Sequence, residues 1–279
     1  MTTVQLRRLS QELLRLRKAA GLTQEEVNAA MEWSKGRLTY MEQGKWKRAD
    51  IGTVSRLLDL YGVKGEEKER LLNLARQSRA KGWWLNYRDI FPAAFPSFEG
   101  AATMIRAYEA QLVPGLLQTP EYAEAIIRGG RGKFDQQTLE RRIEARMERK
   151  QIIDREQPPD LWFIVDEAVL QRMVGGPEVM REQIRYLVEM SARPPITIQV
   201  LPNSVGAHPG MTGGAFVLLD FAATQDPPLV YIEQATSSVF VDQPEEVQSY
   251  TLIFTRIASS ALTPEDSVSF MMALRDKIG

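Results

Sequence analysis

Apolar residues near the N-terminus recur at the spacing of one face of a helix. They fall at Leu6, Leu9, Leu13 and Leu16, and the stripe stops at Gly21. A periodic apolar stripe that ends at a glycine is typical of an amphipathic helix and its C-terminal cap. The sequence therefore predicts a first helix that ends near Gly21.

Two short helices are predicted next. Thr23 is followed three residues later by Glu26, the capping-box pattern that marks a helix N-terminus. Ser34 occupies the N-cap position of a third helix, predicted over about residues 34–43, and Gly44 ends it. Two short helices joined by a tight turn are typical of a helix-turn-helix, whose second helix enters the major groove of DNA.

Two further helices complete an all-α N-terminal domain. Asp50 caps a fourth helix, and a fifth is predicted over about residues 65–79. An aromatic and proline-rich stretch, unsuited to a continuous helix, follows at residues 83–96. We therefore predict a five-helix helix-turn-helix domain over residues 1–81 and a second domain over residues 82–279.

The second domain reads as mixed helix and strand. Strands are predicted at Leu161–Val165, Ile196–Val200, Ala215–Asp220, Leu229–Ile232 and Val239–Val241. Helices are predicted over Ala101–Ala110 and near residues 168–174, 177–192 and 244–258. The fold class expected for residues 82–279 is α+β.

A long helix with three kinds of surface is predicted over Asp135–Glu156. Its rows are apolar (Leu139, Ile143, Met147), acidic (Glu140, Glu144, Glu148) and basic (Arg142, Arg146, Lys150). Such a helix either packs on its own domain with solvated flanks or docks against a partner. In an antiparallel homodimer, its acidic row would face the basic row of the mate.

The amino-acid composition excludes several classes of protein. The 279 residues are 44% hydrophobic and 25% charged and contain no cysteine, which excludes disulfide scaffolds and thiolate metal sites. No apolar run approaches the roughly 20 residues of a membrane-spanning helix, so we expect a cytoplasmic protein without a membrane partner. Residues 1–81 hold 17 Lys and Arg against 10 Asp and Glu, the balance of a nucleic-acid-binding module.

The N-terminal motif carries a family resemblance. The runs Leu22–Val27 and Tyr40–Lys45, with Ser34 between them, resemble the phage-repressor (Xre) family of helix-turn-helix proteins. The resemblance implies binding to double-stranded DNA. The alternative is a helical hairpin core that contacts no nucleic acid.

The predicted DNA-contacting residues follow from the helix wheel and from the resemblance. With Leu38 and Met41 facing inward, the residues predicted to face DNA are Ser34, Lys35, Gly36, Arg37, Thr39, Tyr40 and Gln43. Lys35 and Arg37 are donors suited to guanine, and Lys45, Lys47 and Arg48 follow in a loop that can neutralise phosphates. Simple solvation is the alternative for each lysine.

The resemblance adds two roles at the start and the end of the motif. It implies that Gln24, at the start of the second helix, anchors a phosphate, and the adjacent Thr23 is also predicted to contact DNA. It also implies a structural ion pair between Arg17 and Glu42, which should matter for folding more than for base choice.

The second domain carries its own resemblance. The stretches that carry it are Leu112–Tyr122, Arg146–Lys150, Asp166-Glu167, Val174–Gly176, Gln199–Pro202 and Tyr231–Glu233. They resemble the C-terminal domain of an actinobacterial group of Xre-type regulators, a domain of unknown function. The resemblance implies a regulator of development and secondary metabolism, often encoded beside a small partner protein.

Signals for catalysis are weak. The chain has a single histidine, His208, and the acidic residues Asp166, Glu167 and Glu233 have no spacing that fixes a carboxylate pair. No phosphate-binding glycine signature is present. We therefore expect no enzyme activity, no catalytic residue, no metal and no cofactor.

Three functions remain open at this point. The leading hypothesis is a DNA-binding transcriptional regulator whose second domain dimerises or receives a signal. An antitoxin-like interaction module that acts with a small partner protein is the second, and a small-molecule-sensing repressor is the third. The neighbouring gene would discriminate between them.

Overall fold

The computed structural model forms two compact units, Met1–Ala101 and Ala102–Gly279. The described residues are 3–46, 48–79, 83–87, 89–91, 95–130, 134–222 and 226–278. The predicted boundary between residues 81 and 82 falls outside the described residues. The first unit also includes a helix at Phe95–Ala101, which packs against the first helix of the chain. The place of the functional boundary stays a prediction.

The first unit is all-α, as predicted. Its helices are α1 (Val4–Ala19), α2 (Gln24–Ala30), α3 (Arg37–Glu42), α4 (Ile51–Leu60), α5 (Gly65–Gln77) and α6 (Phe95–Ala101), with a 3-10 turn at Trp83–Tyr87. The stripe Leu6, Leu9 and Leu13 is fully buried and packs with Leu38 of α3 and Leu57 of α4. Burial of one face of each short helix stabilises the helices far more than their own propensity does.

The predicted caps of α2 and α4 are confirmed. Thr23 Oγ1 accepts the N–H of Glu26, and Glu26 accepts the N–H of Thr23 at 2.8 Å. Asp50 Oδ1 accepts the N–H of Thr53 at 2.8 Å. The hydrogen bonds from Thr23 hold the pKa of Glu26 below its ordinary value, so Glu26 stays ionised at the start of α2.

The second unit is built on a mixed sheet, which confirms the α+β class. Its strands are β1 (Met104–Glu109), β2 (Asp160–Asp166), β3 (Ile196–Leu201), β4 (Phe216–Asp220), β5 (Leu229–Glu233) and β6 (Ser238–Val241). The strand order is β3-β2-β1-β4-β5-β6. The pairs β1–β2 and β2–β3 are parallel, and the pairs β1–β4, β4–β5 and β5–β6 are antiparallel.

Helices cover the sheet. They are α7 (Pro120–Gly129), α8 (Gln136–Arg149), α9 (Glu167–Gln171), α10 (Pro177–Ser191), α11 (Gly210–Gly213), α12 (Pro244–Ser260) and α13 (Pro264–Arg275). Short 3-10 turns lie at Gly115–Leu117, Lys150–Ile152 and Asn203–Val205. On one face of the sheet, Tyr108, Leu218 and Val230 pack with Phe254 of α12. Among the described residues, none of the helices has the length and apolar character needed to cross a bilayer.

Two predicted elements of the second unit are wrong. The helix predicted over Ala101–Ala110 is strand β1, which lies between β2 and β4 inside the sheet, so the partners that make it a strand are distant in sequence. The long helix predicted over Asp135–Glu156 ends at Arg149 and continues as a 3-10 turn at Lys150–Ile152.

Candidate nucleic-acid interface

The turn before α3 differs from the prediction. Helix α3 begins at Arg37, and Ser34 lies in the turn that precedes it, where its carbonyl accepts the N–H of Arg37 at 3.2 Å. Gly36 is the N-cap residue, with φ 91° and ψ −11°. These angles are those of the third residue of a type II turn, a position that favours glycine. The prediction that Ser34 caps the helix is therefore wrong. Gly36 precedes the helix interior, so it does not carry the loss of stability that a glycine causes within a helix.

A side chain from α2 takes over the capping role. Asn28 is buried, and its Oδ1 accepts the backbone N–H of Leu38 at 3.3 Å, in the first turn of α3. This hydrogen bond satisfies one of the free N–H groups of the helix start and fixes α3 to α2. Sequence reasoning missed Asn28; its one signal was a polar residue next to Val27 on the inward face of α2.

A buried chain of hydrogen bonds ties three helices together. Arg17 Nε and Nη2 lie 2.6 and 3.1 Å from the two carboxylate oxygens of Glu42, and Arg17 Nη1 donates to the carbonyl of Leu22 at 2.7 Å. Gln24 Nε2 donates to Glu42 at 2.7 Å, and Thr39 Oγ1 donates to Gln24 Oε1 at 2.8 Å. The Arg17 and Glu42 side chains are 10% and 3% exposed, which makes this a buried ion pair. The hydrogen bond from Arg17 to Glu42 raises the pKa of Arg17 above its ordinary value.

These contacts change what Gln24 and Thr39 offer to DNA. Both side chains are partly buried, and the Gln24 amide already binds Glu42 and Thr39. The ionised carboxylate of Glu26 also stands at the same helix start, where it opposes a phosphate. The phosphate contact of Gln24 stays a prediction, but the contacts in the structure assign Gln24 to the α2–α3 joint.

The remaining predicted residues form an exposed surface around α3. The exposed set is Thr23, Ser34, Lys35, Gly36, Arg37, Tyr40, Gln43, Lys45 and Arg48. Lys47 lies outside the described residues. None of the cations Lys35, Arg37, Lys45 and Arg48 forms an ion pair with a described residue. We refer to Ser34, Lys35, Arg37, Tyr40 and Gln43 as the α3 surface.

An aromatic ring positions one cation of the α3 surface. The guanidinium carbon of Arg37 lies 4.5 Å from the centroid of the Trp33 ring, within the range of a cation–π contact. Trp33 is partly buried against the core of the first unit. The helix pattern of the sequence did not indicate this contact.

Two family models match the chain. A model described as a helix-turn-helix domain matches residues 8–71, the region of α1 to α5. A model described as a domain of unknown function, DUF5753, matches residues 92–273, which is more than half of the chain. The chain belongs to the DUF5753 family. No curated protein and no solved structure matches it.

Within the DUF5753 region, two members of the predicted basic row, Arg146 and Lys150, contact their own domain. Arg146 Nη1 donates to Gln118 Oε1 at 2.6 Å, and Lys150 Nζ donates to the carbonyl of Gln118 at 2.8 Å. Lys150 Nζ also lies 4.3 Å from the centroid of the Tyr186 ring, and the Arg142 guanidinium carbon lies 4.2 Å from that of Phe134. Arg146 and Lys150 are thus used within the chain, and the pairing of acidic and basic rows between two copies stays a prediction.

The Leu112–Tyr122 stretch of the DUF5753 region is held by two buried glutamines. Gln118 Nε2 donates to the carbonyl of Val113 at 2.8 Å. Gln183 of α10 is fully buried, accepts the N–H of Thr119 at 2.8 Å and donates to the carbonyl of Leu117 at 2.7 Å. Backbone polar groups buried without such partners would destabilise the fold, so this stretch has a structural role.

Two of the acidic residues considered for catalysis, Asp166 and Glu167, have structural partners. Asp166 Oδ1 caps α9 by accepting the N–H of Ala168 at 3.0 Å, and Glu167 accepts the N–H of Asn203 at 2.7 Å. The structure also brings His208 near this point, with its Nε2 3.9 Å from Asp166 Oδ2, a proximity that the sequence did not indicate. The described residues contain no group of three His, Cys, Asp or Glu side chains placed to hold a metal ion. The expectation of no enzyme activity stays a prediction.

Proposed function

We propose that the protein is a sequence-specific transcriptional regulator that inserts α3 and the turn before it into the major groove of DNA. The helix-turn-helix match makes this chain a DNA-binding regulator in the broad sense. The observation that carries the finer proposal is the α3 surface. Its exposed cations form no ion pair with any residue that the structure describes, and they project from a helix whose position is fixed by hydrogen bonds with Asn28 and Gln24. A fixed helix with unpaired donors is what base readout requires.

The proposal divides the residues into readers and anchors. Arg37 and Lys35 read guanine edges, and Tyr40 contacts a thymine methyl or a phosphate. Lys45 and Arg48 neutralise phosphates, which positions the domain without reading sequence. Trp33 acts as a positioning residue because its ring restricts the Arg37 guanidinium.

We also propose that the protein binds as a homodimer. A single module of this size contacts few base pairs, and specificity is normally gained from two half-sites about 34 Å apart. Two members of the predicted basic row, Arg146 and Lys150, bind Gln118 in their own domain, which does not favour that row as the pairing surface. Sedimentation of the full chain, free and on a selected operator, tests this proposal; a monomer in both states contradicts it.

Selection of bound duplexes from a random library tests the DNA-binding proposal. We expect the full chain to return one motif and Arg37→Ala to relax preference at particular base pairs, at a cost of about 1–3 kcal/mol. Lys45→Ala and Arg48→Ala should keep the motif and weaken binding evenly. Arg76→Ala on α5 removes the same charge from the same unit and is the matched control. An unchanged motif for Arg37→Ala contradicts the placement of α3 in the groove.

Salt dependence provides a second readout. If six or more phosphates are neutralised, affinity should fall roughly 10³-fold or more between about 50 and 200 mM salt. Lys45→Ala and Arg48→Ala should each reduce the salt slope by about one. Binding that does not change with salt contradicts an electrostatic interface.

A further inference from the structure

A groove lies at the amino ends of the three parallel strands of the DUF5753 region. The first residues of β1, β2 and β3 form one wall, and the end of α10 with the loop that follows it forms the other. The groove has a volume of about 420 Å³. That volume lies in the range of small-molecule sites. We call it the amino-end groove.

The register of the strands places a carboxylate and an indole ring on the same wall. Met104 pairs with Asp160, and Trp162 pairs with Thr197. Side chains alternate along a strand, so Asp160 and Trp162 share a face of the sheet and lie about 7 Å apart along β2. All four residues line the amino-end groove. The groove therefore combines one acidic group with an aromatic and apolar surface.

Hydrogen bonds and ring packing fix both walls. The N–H of Leu161 donates to the carbonyl of Pro195 at 3.0 Å, which joins the loop after α10 to β2. Trp162 Nε1 donates to Gln199 Oε1 at 2.7 Å, and the Trp162 ring packs edge to face against Phe254 with 5.2 Å between the ring centroids. The amino-end groove is thus preformed, and binding does not have to order it.

The carboxylate of the amino-end groove has no positive partner. Asp160 is exposed and forms no hydrogen bond or ion pair with any residue that the structure describes. No Lys, Arg or His is among the described residues that line the groove. Arg193, next to the groove in sequence, binds Asp154 instead, at 2.9 Å. The side chains of the groove therefore carry a net negative charge.

The end of α10 adds to this negative potential. The C-terminal end of a helix carries a partial negative charge, and the 15-residue α10 has no basic residue in its last turn. The residue four positions after Ser191 is Pro195, which has no N–H to donate to the Ser191 carbonyl. Ser191 and Ala192 both line the groove. The electrostatic complement of the amino-end groove is a cation.

We propose that the amino-end groove binds a small organic cation, an amine with an aromatic body. Its ammonium group donates to the Asp160 carboxylate near the end of α10, and its aromatic body packs against Met104 and Trp162. Asp160 repels an anion, and a metal ion would leave the apolar wall unused. The described residues also contain no acidic or histidine cluster placed to hold a metal ion. The site does not depend on the DNA-binding proposal.

Calorimetry of the full chain tests the site. The probes are benzylamine, 2-phenylethylamine and tryptamine, each compared at equal ionic strength with the alcohol that carries a hydroxyl in place of the amine, and ammonium chloride. We expect at least one amine to bind about tenfold or more tightly than its alcohol. Asp160→Asn should remove this preference. Glu178→Gln, which removes an exposed carboxylate from the opposite end of α10, is the matched control and should keep it.

A cation introduced into the groove provides a second test. Ala192 is exposed at the end of α10, where a basic side chain is favourable for the helix, so Ala192→Lys should fold normally. Its ammonium group should compete for Asp160 and weaken binding of the amine about tenfold or more. Ala192→Gln adds a long uncharged side chain at the same position and should retain binding. This comparison remains decisive if Asp160→Asn fails to fold.

Four results would overturn the inference. They are equal affinity for each amine and its alcohol, binding of the ammonium ion as tight as that of the amines, no binding of any of the three amines, and unchanged amine binding in Asp160→Asn or Ala192→Lys. Amine binding by a chain that binds no DNA would leave this inference standing and contradict the proposed function instead.

Discussion

Replacing Glu42 by glutamine tests whether the buried Arg17–Glu42 pair holds the helix-turn-helix together. The carboxylate of Glu42 accepts from Arg17 at 2.6 and 3.1 Å and from Gln24 at 2.7 Å, and its side chain is 3% exposed. A glutamine has one acceptor oxygen, so at least one of these bonds is lost and the Arg17 charge is left without compensation. Breaking a buried pair in this way costs about 3–5 kcal/mol.

That loss is large compared with the stability of a small domain. Domains of this kind are stable by about 5–15 kcal/mol, and about 1 kcal/mol shifts the melting temperature by about 4–8 °C. We therefore expect Glu42→Gln to lower the melting temperature of the first unit by roughly 15 °C or more. Hydrogen exchange of the backbone amides of α1 and α3 in the full chain measures the loss of stability in the first unit.

An exposed pair of the same chemistry is the control. Arg185 and Glu182 on α10 also form two hydrogen bonds, at 2.8 and 2.6 Å, but their side chains are 53% and 49% exposed. Water screens such a pair, so Glu182→Gln should leave stability almost unchanged. If Glu42→Gln costs no more than Glu182→Gln, burial does not set the strength of the pair. The double variant Arg17→Met, Glu42→Leu should recover most of the loss, because it leaves no unpaired charge.

Four other substitutions test separate parts of the structure by urea unfolding. Gly36→Ala should cost about 1–2 kcal/mol from its positive φ alone, since its side chain would meet open space. Asn28→Ala should cost about 1–3 kcal/mol because the N–H of Leu38 loses its acceptor. Gln183→Leu should cost about 3 kcal/mol, since a buried N–H and a buried carbonyl lose their partners. Because the pKa of Glu109 is raised in the folded state, its contribution to stability should be lost as pH rises toward about 8, whereas Glu109→Gln should show a flatter profile. Losses within error for the first three, or matching pH profiles for the fourth, contradict these assignments.

The fold of the first unit was predictable because its signals are local. Thr23 and Glu26 stand three residues apart. The side chain of each accepts a hydrogen bond from the backbone N–H of the other, within one turn of helix. At α4, the side chain of Asp50 likewise accepts the backbone N–H of Thr53, three residues later. The inward leucines of α1 are likewise spaced by the helix period. Interactions between residues close in sequence leave a pattern that a single sequence contains.

The second unit was harder because its decisive contacts are distant in sequence. Strand β1 pairs with Asp160–Asp166 on one side and with Phe216–Asp220 on the other, and no local pattern records either partner. Arg142 and Arg146 share one face of α8, as the helix period predicts. What this face contacts depends on Gln118, which lies 28 residues before Arg146 in the sequence. Periodicity predicts which side chains share a face but not what that face meets.

The number of hydrogen bonds that a buried carboxyl group accepts decides its effect on stability in this chain. Both carboxylate oxygens of Glu42 accept hydrogen bonds from Arg17 or Gln24, so the ionised group is stabilised by its partners inside the fold. Glu109 has no hydrogen-bond donor among the described residues, although burial raises its pKa to about 8. A carboxyl group taken out of water without such partners is held in its neutral form, so it lowers stability as the pH rises. The same physical property, removal of a carboxyl group from water, is thus compensated by hydrogen bonds at Glu42 and makes stability depend on pH at Glu109.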